Sequence, residues 1–204
     1  FDSLFAHQVM ELKEINSLVE LFFKKYGEKF PSISGKSHEE IFLVSLKNKD
    51  LPDTNSGPYT YSWGNIKTKI KVLSNYLKNI ISKGDRCVLL SENRPEWLIS
   101  DLAIMNSGGV TVPLFTTYSE NDYEYIIKDC APKVCIVSNL EQFKKIKNFI
   151  KENTIVLSID EFDENIESFE FIFLKAKTDL KTLEESVMPY NDNLRRNDLA
   201  CIIY

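Results

Sequence analysis

The sequence predicts an α/β fold, a mostly parallel sheet with helices on both faces. Two observations predict it. Short apolar runs bounded by turn residues recur through the chain: RCVLL at Arg86–Leu90, VTVPL at Val110–Leu114, VCIV at Val134–Val137 and TIVLSI at 154–159. Between them lie longer stretches with apolar residues three and four apart, opened by capping residues and closed by glycine or a break before proline. Strands apolar throughout are buried on both faces, and amphipathic helices supply the cover. Such units join parallel strands by right-handed crossovers.

The elements follow in order. Residues 1–30 read mostly as helix: Leu18, Leu21 and Phe22 recur at helical spacing, as do Ile15 and Val19, and Gly27 is a stop signal. A thin basic face favours packing on a domain over a membrane anchor. Two short β runs follow at 41–46 and 59–61, with KNKDLPDTNSGP as the loop between them. Ser62 caps a long helix through Trp63, Ile66, Ile70, Leu73, Leu77, Ile80 and Ile81, and Gly84 ends it. After the RCVLL strand, Asn93 is the expected cap of the next helix. Glu96 stands at capping-box spacing and Pro95 in the first turn. That helix runs to about Asn106 and stops at Gly108-Gly109.

Ser119 and Asp122 predict a capped third helix ending near Cys130, before Pro132. Asn139 and Gln142 predict a fourth, running to about Lys151. Beyond Asp160 the segment EFDENIE reads as loop or a frayed helix, FEFIFL at 169–174 as one more strand, 180–187 as a short helix and 188–197 as loop. DLACIIY at 198–204 starts an apolar strand and breaks off inside it, which predicts a chain cut from a longer one. A cut sheet presents an apolar edge, so the isolated chain is expected to aggregate or to need a partner chain.

Composition excludes several functions. The net charge of −5 argues against nucleic acid as a general partner, which needs a basic face. No apolar run reaches the roughly 18–20 residues of a membrane span, and no secretory signal is visible. The expected location is the cytoplasm, with contact at a membrane surface as the open alternative. Cys87, Cys130, Cys135 and Cys201 show no C-x-x-C spacing and no nearby histidine, so no metal site is expected. Cys87, Cys135 and Cys201 fall in apolar runs and read as small buried hydrophobes. Cys130, at a helix end, is the thiol to test.

Catalytic groups are not found on the residues themselves. G-x-G-x-x-G, G-x-x-x-x-G-K-[ST], G-x-S-x-G and H-E-x-x-H are all absent. The pair Gly108-Gly109 follows a helix and precedes a strand, the reverse of a phosphate cradle. Histidines are confined to His7 and His38, and the acidic clusters read as solvated faces. By the strand-end rule, Phe115, Thr116, Thr117 and Tyr118 are the candidate substrate-binding residues. They follow VTVPL, where a crevice at the carboxyl end of a parallel sheet opens. The same run also reads as plain loop leading to the Ser119 cap.

Three motifs go further. Tyr59–Ser62 with Trp63 reads YTYSW. ENRPEW at 92–97 follows a strand and opens a helix, and LAIMNSGGVTVPL at 102–114 follows it. In this order and spacing they resemble the N-terminal region of AMP-forming acyl-CoA synthetases, the long-chain fatty acid–CoA ligases above all. The resemblance covers nearly the whole chain. It implies that residues 1–57 form an N-terminal helix and strand/loop appendage. It implies that 58–204 are the first part of the large N-terminal domain, incomplete in its last strand.

The resemblance also implies an activity for an intact enzyme. With ATP and Mg it would convert a fatty acid to an acyl-adenylate and pyrophosphate, then pass the acyl group to CoA. The family's phosphate loop, T-S-G-T-T-G-x-P-K-G, would follow Tyr204, and its later motifs lie further on. ATP, Mg and CoA are therefore not expected to bind well to this stretch, which is expected to be inactive without the missing C-terminal part of the ligase. No catalytic residue is assigned. A non-catalytic α/β remnant or binding module stays open, as does another adenylate-forming ligase, of the aryl, amino-acid or luciferase-like kind.

Overall fold

The computed structural model describes residues 41–45, 59–178, 194–195 and 197–204. The expected helices within 1–30 and 180–187, the 47–58 loop, and His7 and His38 lie outside them.

Strand β1 (Ile41–Ser45) pairs antiparallel with β2 (Tyr59–Ser62), with Ile41 opposite Ser62. Helix α1 (Trp63–Lys78) follows without a loop. The Ser62 hydroxyl accepts the Asn65 amide at 3.2 Å, as the cap signal predicts. The helix ends at Lys78, with Asn79 as its cap, and not at Gly84. Gly84 instead takes φ +85° in the turn that follows, where its amide donates to the Gly108 carbonyl.

From there the chain alternates: β3 (Arg86–Leu90), α2 (Pro95–Ser107), β4 (Val110–Leu114), α3 (Glu120–Cys130), β5 (Val134–Val137), α4 (Leu140–Ile146), β6 (Ile155–Ser158), β7 (Glu167–Ser168) and α5 (Phe169–Thr178). The sheet order is β4-β3-β5-β6-β7, every neighbour pair parallel. Alternation along each strand divides the core. Cys87, Leu89, Val134, Ile136 and Leu157 pack with α1, α2 and α5 on one face. Val88, Leu90, Cys135 and Val137 pack with α3 and α4 on the other. Double cover is why these strands read as unbroken apolar runs. α2, with nine buried residues, is the inner helix of its layer. Its Asn106 amide reaches the Ser74 hydroxyl of α1 at 3.1 Å.

Ser119 and Asp122 form the reciprocal capping box on α3. That helix closes at Ala131, which takes φ 41°, and Arg86 Nε donates to the Cys130 carbonyl at 2.7 Å. Asn139 caps α4 by accepting the Gln142 amide at 3.1 Å. α4 stops at Ile146 rather than near Lys151.

Three further expectations are corrected. Residues 169–174 are helix, not strand. The Ser168 hydroxyl accepts the Phe171 amide at 3.2 Å and opens α5. Phe169, Ile172, Phe173 and Ala176 then join the core, while Phe171 and Leu174 are exposed; strand alternation would have put Phe169, Phe171 and Phe173 on one face. Asn93 does not cap α2. Arg94 holds the cap position with no side-chain cap bond, and Glu96 turns elsewhere. The 198–204 segment makes one parallel bridge, Thr111 to Cys201, rather than a full strand. There the Thr111 amide donates to the Ala200 carbonyl, and its carbonyl accepts the Ile202 amide, each at 2.9 Å.

Candidate functional site at the carboxyl end of the sheet

Because all five strands are parallel, their carboxyl ends share one edge. From β3 the chain steps to β4 on one side, then returns past β3 to β5 on the other. The connection reverses direction between β3 and β5, and a crevice at such a reversal is where parallel sheets take ligands.

Two polar groupings occupy this edge. The first surrounds Glu92, just beyond β3. Its Oε1 accepts the Gln142 side-chain amide at 2.7 Å and that of Asn139 at 3.5 Å, both from the start of α4. Partial burial pushes the Glu92 carboxyl up. The donors around it, Gln142 and Asn139, outweigh that and hold it below the ordinary glutamate range. Gln142 Oε1 and the hydroxyls of Ser138 and Ser158 are buried with no hydrogen-bond partner among the described residues.

The second grouping centres on Arg94. Nη1 and Nη2 donate to the two oxygens of Asp160, each at 2.9 Å, and Nε donates to Glu96 Oε2 at 2.8 Å. The Tyr61 hydroxyl donates to the other Glu96 oxygen. Burial raises the Glu96 carboxyl, but Tyr61 and Arg94 hold it below its usual value. Burial alone would lower Arg94, yet the bonds to Asp160 and Glu96 raise it further into its charged form. The cluster ties β2, α2 and the end of β6 together. It also forms one end of a cleft of about 660 Å³ between α1 and α5.

The expected site residues lie elsewhere on the same edge. Phe115, Thr116, Thr117 and Tyr118 form the loop after β4, the outermost strand of this sheet among the described residues. Phe115 and Thr117 are exposed, Thr116 and Tyr118 half-buried. The loop is held by its backbone: the Tyr123 hydroxyl donates to the Phe115 carbonyl at 2.8 Å, and Lys145 Nζ to the Thr116 carbonyl at 3.0 Å. Phe115 and Tyr118 meet edge to face at 5.3 Å. None of the four lines the α1–α5 cleft.

These residues do not fit a nucleotide triphosphate. Gly109 is close-packed: a Cβ there would stand 2.9 Å from Ile81 Cδ1 and 3.0 Å from Ile104 Cγ2. It closes a helix–strand turn and leaves no room for phosphate. Among the described residues no glycine lies in a strand-to-helix loop of this sheet. No group of three or more metal ligands occurs among the described residues. The thiols are not nucleophiles either. Burial pushes Cys87 up to about 12 and Cys130 up to about 11, and Cys135 is raised still more. Cys130 is buried, so the expectation that singled it out is corrected. Cys201 is the half-buried thiol, not a fully buried one. Among the described residues no acid–base or nucleophilic pair is assembled on this edge.

Sequence reading missed the Arg94–Asp160 pair and the α1–α5 cleft. One signal was available: each charged partner lies within four residues of a strand's carboxyl end, Arg94 after Leu90 and Asp160 after Ser158. Nothing in a separation of 66 residues shows that the two meet.

Comparison with known proteins bears on most of the chain. Residues 38–204 match the family model described as AMP-binding enzyme. The chain is 29% identical over 132 residues to fatty acyl-CoA synthetase A of Dictyostelium discoideum, covering 61% of this chain and 19% of that protein. It is 30% identical over 82 residues to the long-chain-fatty-acid–CoA ligase ACSBG1 of Rattus norvegicus, covering 40% of this chain and 11% of that one. Among solved structures, coronafacic acid ligase from Pectobacterium brasiliense superposes with a TM-score of 0.59 at 21% identity, over 82% of this chain and 31% of its own. Apo MatB from Rhodopseudomonas palustris gives 0.55 at 19% identity, over 94% and 32%. Both establish the likeness of fold.

Proposed function

Because the chain belongs to the AMP-binding enzyme family, we propose that it is the front part of a long-chain fatty acid–CoA ligase. The carrying observation is the family match over 38–204, joined to relatives named for fatty acyl substrates. The chain spans about a fifth or less of those relatives' length, so the activity belongs to a longer protein. In that reaction ATP and a fatty acid give an acyl-adenylate and pyrophosphate, and CoA then takes the acyl group as AMP leaves. ATP, Mg and CoA are the reading's substrates and cofactors, and the remainder of the ligase is its first partner.

The part played by these 204 residues is architectural. They build a rigid parallel sheet and hold its carboxyl edge in place. On this reading the 115–118 loop contacts substrate from the side, through the exposed Phe115 ring and the Thr117 hydroxyl. The absence of a phosphate loop or catalytic pair among the described residues favours an inactive isolated chain, whether as part of a ligase or as a binding module. No helix among the described residues is long and apolar enough to cross a membrane. The reading places the enzyme in the cytoplasm, with contact at a membrane surface as the alternative.

The test is pyrophosphate exchange, run on the 204-residue chain and on the product of the full reading frame. The isolated chain is expected to show none with any acid. The longer product is expected to exchange with C16 acids in preference to C8 or benzoate. Exchange by the isolated chain overturns its inactivity. Preference for an aryl or amino acid overturns the long-chain reading and leaves the family intact. In the longer product, F115A and T117A should raise the KM for substrate, and unchanged kinetics would remove the loop from the site.

A further inference from the structure

The loop after β4 has fixed ends and a tied middle. β4 holds it up to Leu114, and the capping box of Ser119 with Asp122 holds it from the other side. Between them the chain is tied from outside at two successive carbonyls. The Tyr123 hydroxyl of α3 donates to the Phe115 carbonyl at 2.8 Å, and Lys145 Nζ of α4 donates to the Thr116 carbonyl at 3.0 Å. A peptide group is planar, so fixing a carbonyl fixes the plane it belongs to. The two bonds therefore set the peptide planes from Phe115 to Thr117, and with them the directions in which these two side chains leave the loop.

The two ties differ in kind. Tyr123 is buried in the core beneath α3 and α4, and its bond to the loop comes with the packing of that core. The Lys145 side chain is 28% exposed and belongs to the surface. Its ion pair with Glu141, at 3.4 Å, involves a carboxylate side chain 76% exposed, where water screens it. The bond to Thr116 is charge-assisted and joins residues 29 apart in sequence. α4 is anchored on the same edge. Gln142 stands three residues before Lys145, on the same side of the helix, and donates to Glu92 at 2.7 Å. The helix thus sends one side chain to the loop after β3 and one to the loop after β4. We propose that Lys145 is a positioning residue for substrate. By holding the Thr116 carbonyl it fixes how the exposed Phe115 ring and Thr117 hydroxyl meet the substrate, without touching substrate itself. The inference rests on the reading of 115–118 as the loop that contacts substrate.

The test uses the product of the full reading frame and follows pyrophosphate exchange against fatty acid concentration. Lys145→Met keeps the length of the stem and removes the donor. It is expected to raise the KM for the acid by about fivefold or more, with kcat within about twofold, the pattern of lost binding rather than lost chemistry. Lys145→Arg keeps a charged donor and should bring KM back to within about twofold of the parent. Lys144→Met removes the same charge from the exposed neighbouring position of α4 and should leave both constants unchanged. Hydrogen exchange supplies a second readout. The Tyr118 amide donates to the Phe115 carbonyl at 3.3 Å and closes the turn of the loop. In Lys145→Met it should exchange about fivefold faster or more, with the amides of β5 unchanged. An unchanged KM in Lys145→Met, an equal rise in Lys144→Met, no recovery in Lys145→Arg, or unchanged Tyr118 exchange overturns the proposal. Faster exchange in β5 as well would mean general loosening and also overturns it. The two readings fail separately. Unchanged kinetics in F115A and T117A remove the loop from the site, and Lys145 with it. A KM raised by those two variants and not by Lys145→Met removes this inference alone.

Discussion

The Arg94 guanidinium grips the Asp160 carboxylate through two hydrogen bonds of 2.9 Å, joining the start of α2 to the end of β6. A fork meeting a carboxylate in this way is directional as well as charged, and a lysine cannot reproduce it. The Asp160 side chain is 44% exposed, so water weakens the pair. The Glu96 carboxylate on the same guanidinium is only 12% exposed and depends on it more.

Arg94→Lys should therefore lower stability by about 1–2 kcal/mol, and Arg94→Ala by about 2–3 kcal/mol, because the alanine leaves Glu96 buried without its cation. Asp160→Asn should cost less than either. Urea titrations of the three variants check the order. A larger loss from Asp160→Asn than from Arg94→Ala would show that Glu96 is not the dependent group.

Asp101 makes stability depend on pH in the unusual direction. Burial pushes its carboxyl up to about 6. In the unfolded chain it returns to about 3.9. The folded form thus prefers the neutral acid, and stability falls as pH rises from about 4 through about 6. Asp101→Asn should raise the melting temperature at pH 7–8, by the equivalent of about 1–3 kcal/mol, and leave it unchanged at pH 4. Glu96 works the other way. Its folded value is depressed, so its contribution is full at neutral pH and is lost as pH falls below the ordinary glutamate value, through the depressed one. Glu96→Gln should destabilise at pH 7 and converge with the parent at low pH. Melting curves at several pH values test both.

Gly109 is fixed by space, not by backbone angle. An added Cβ meets Ile81 Cδ1 at 2.9 Å, Ile104 Cγ2 at 3.0 Å and Cys87 Sγ at 3.2 Å. Gly109→Ala should cost about 1–3 kcal/mol by overpacking. Ile81→Val removes the nearest of those atoms, so the double variant should be less destabilised than the two single losses added together. Gly84→Ala meets no atom within 4 Å yet carries a φ of +85°, and should cost about 1 kcal/mol by strain, with no rescue from Ile81→Val. Equilibrium unfolding separates the two mechanisms.

The thiols should react in an order set by burial. Cys201 is half-buried at about 11, while Cys87, Cys130 and Cys135 are buried. Native-state labelling at pH 8 should reach Cys201 slowly and first, with the other three appearing only on unfolding. Early labelling of Cys130 would mean that the α3 terminus opens.

The sequence by itself determined the local structure wherever one short stretch holds both the signal and its answer. Ser62 and Asn65, Ser119 and Asp122, and Asn139 and Gln142 are three residues apart, so a side chain and the amide it caps are fixed together. The apolar runs at 86, 110, 134 and 155 became parallel strands because nothing but double burial suits them. The resemblance carried by YTYSW, ENRPEW and GGVTVPL located the family. Tertiary structure decided what lies between partners distant in sequence. FEFIFL fits a strand or a helix equally well by composition, and the Ser168 cap and the core contacts of Phe169, Ile172 and Phe173 made it α5. Glu96 stood ready for a capping box, but Tyr61 and Arg94 offered stronger, charge-assisted partners and took it. The order β4-β3-β5-β6-β7, the Arg94–Asp160 fork and the α1–α5 cleft all arise from contacts across dozens of residues, where the free energy belongs to the packed whole and no local pattern records it.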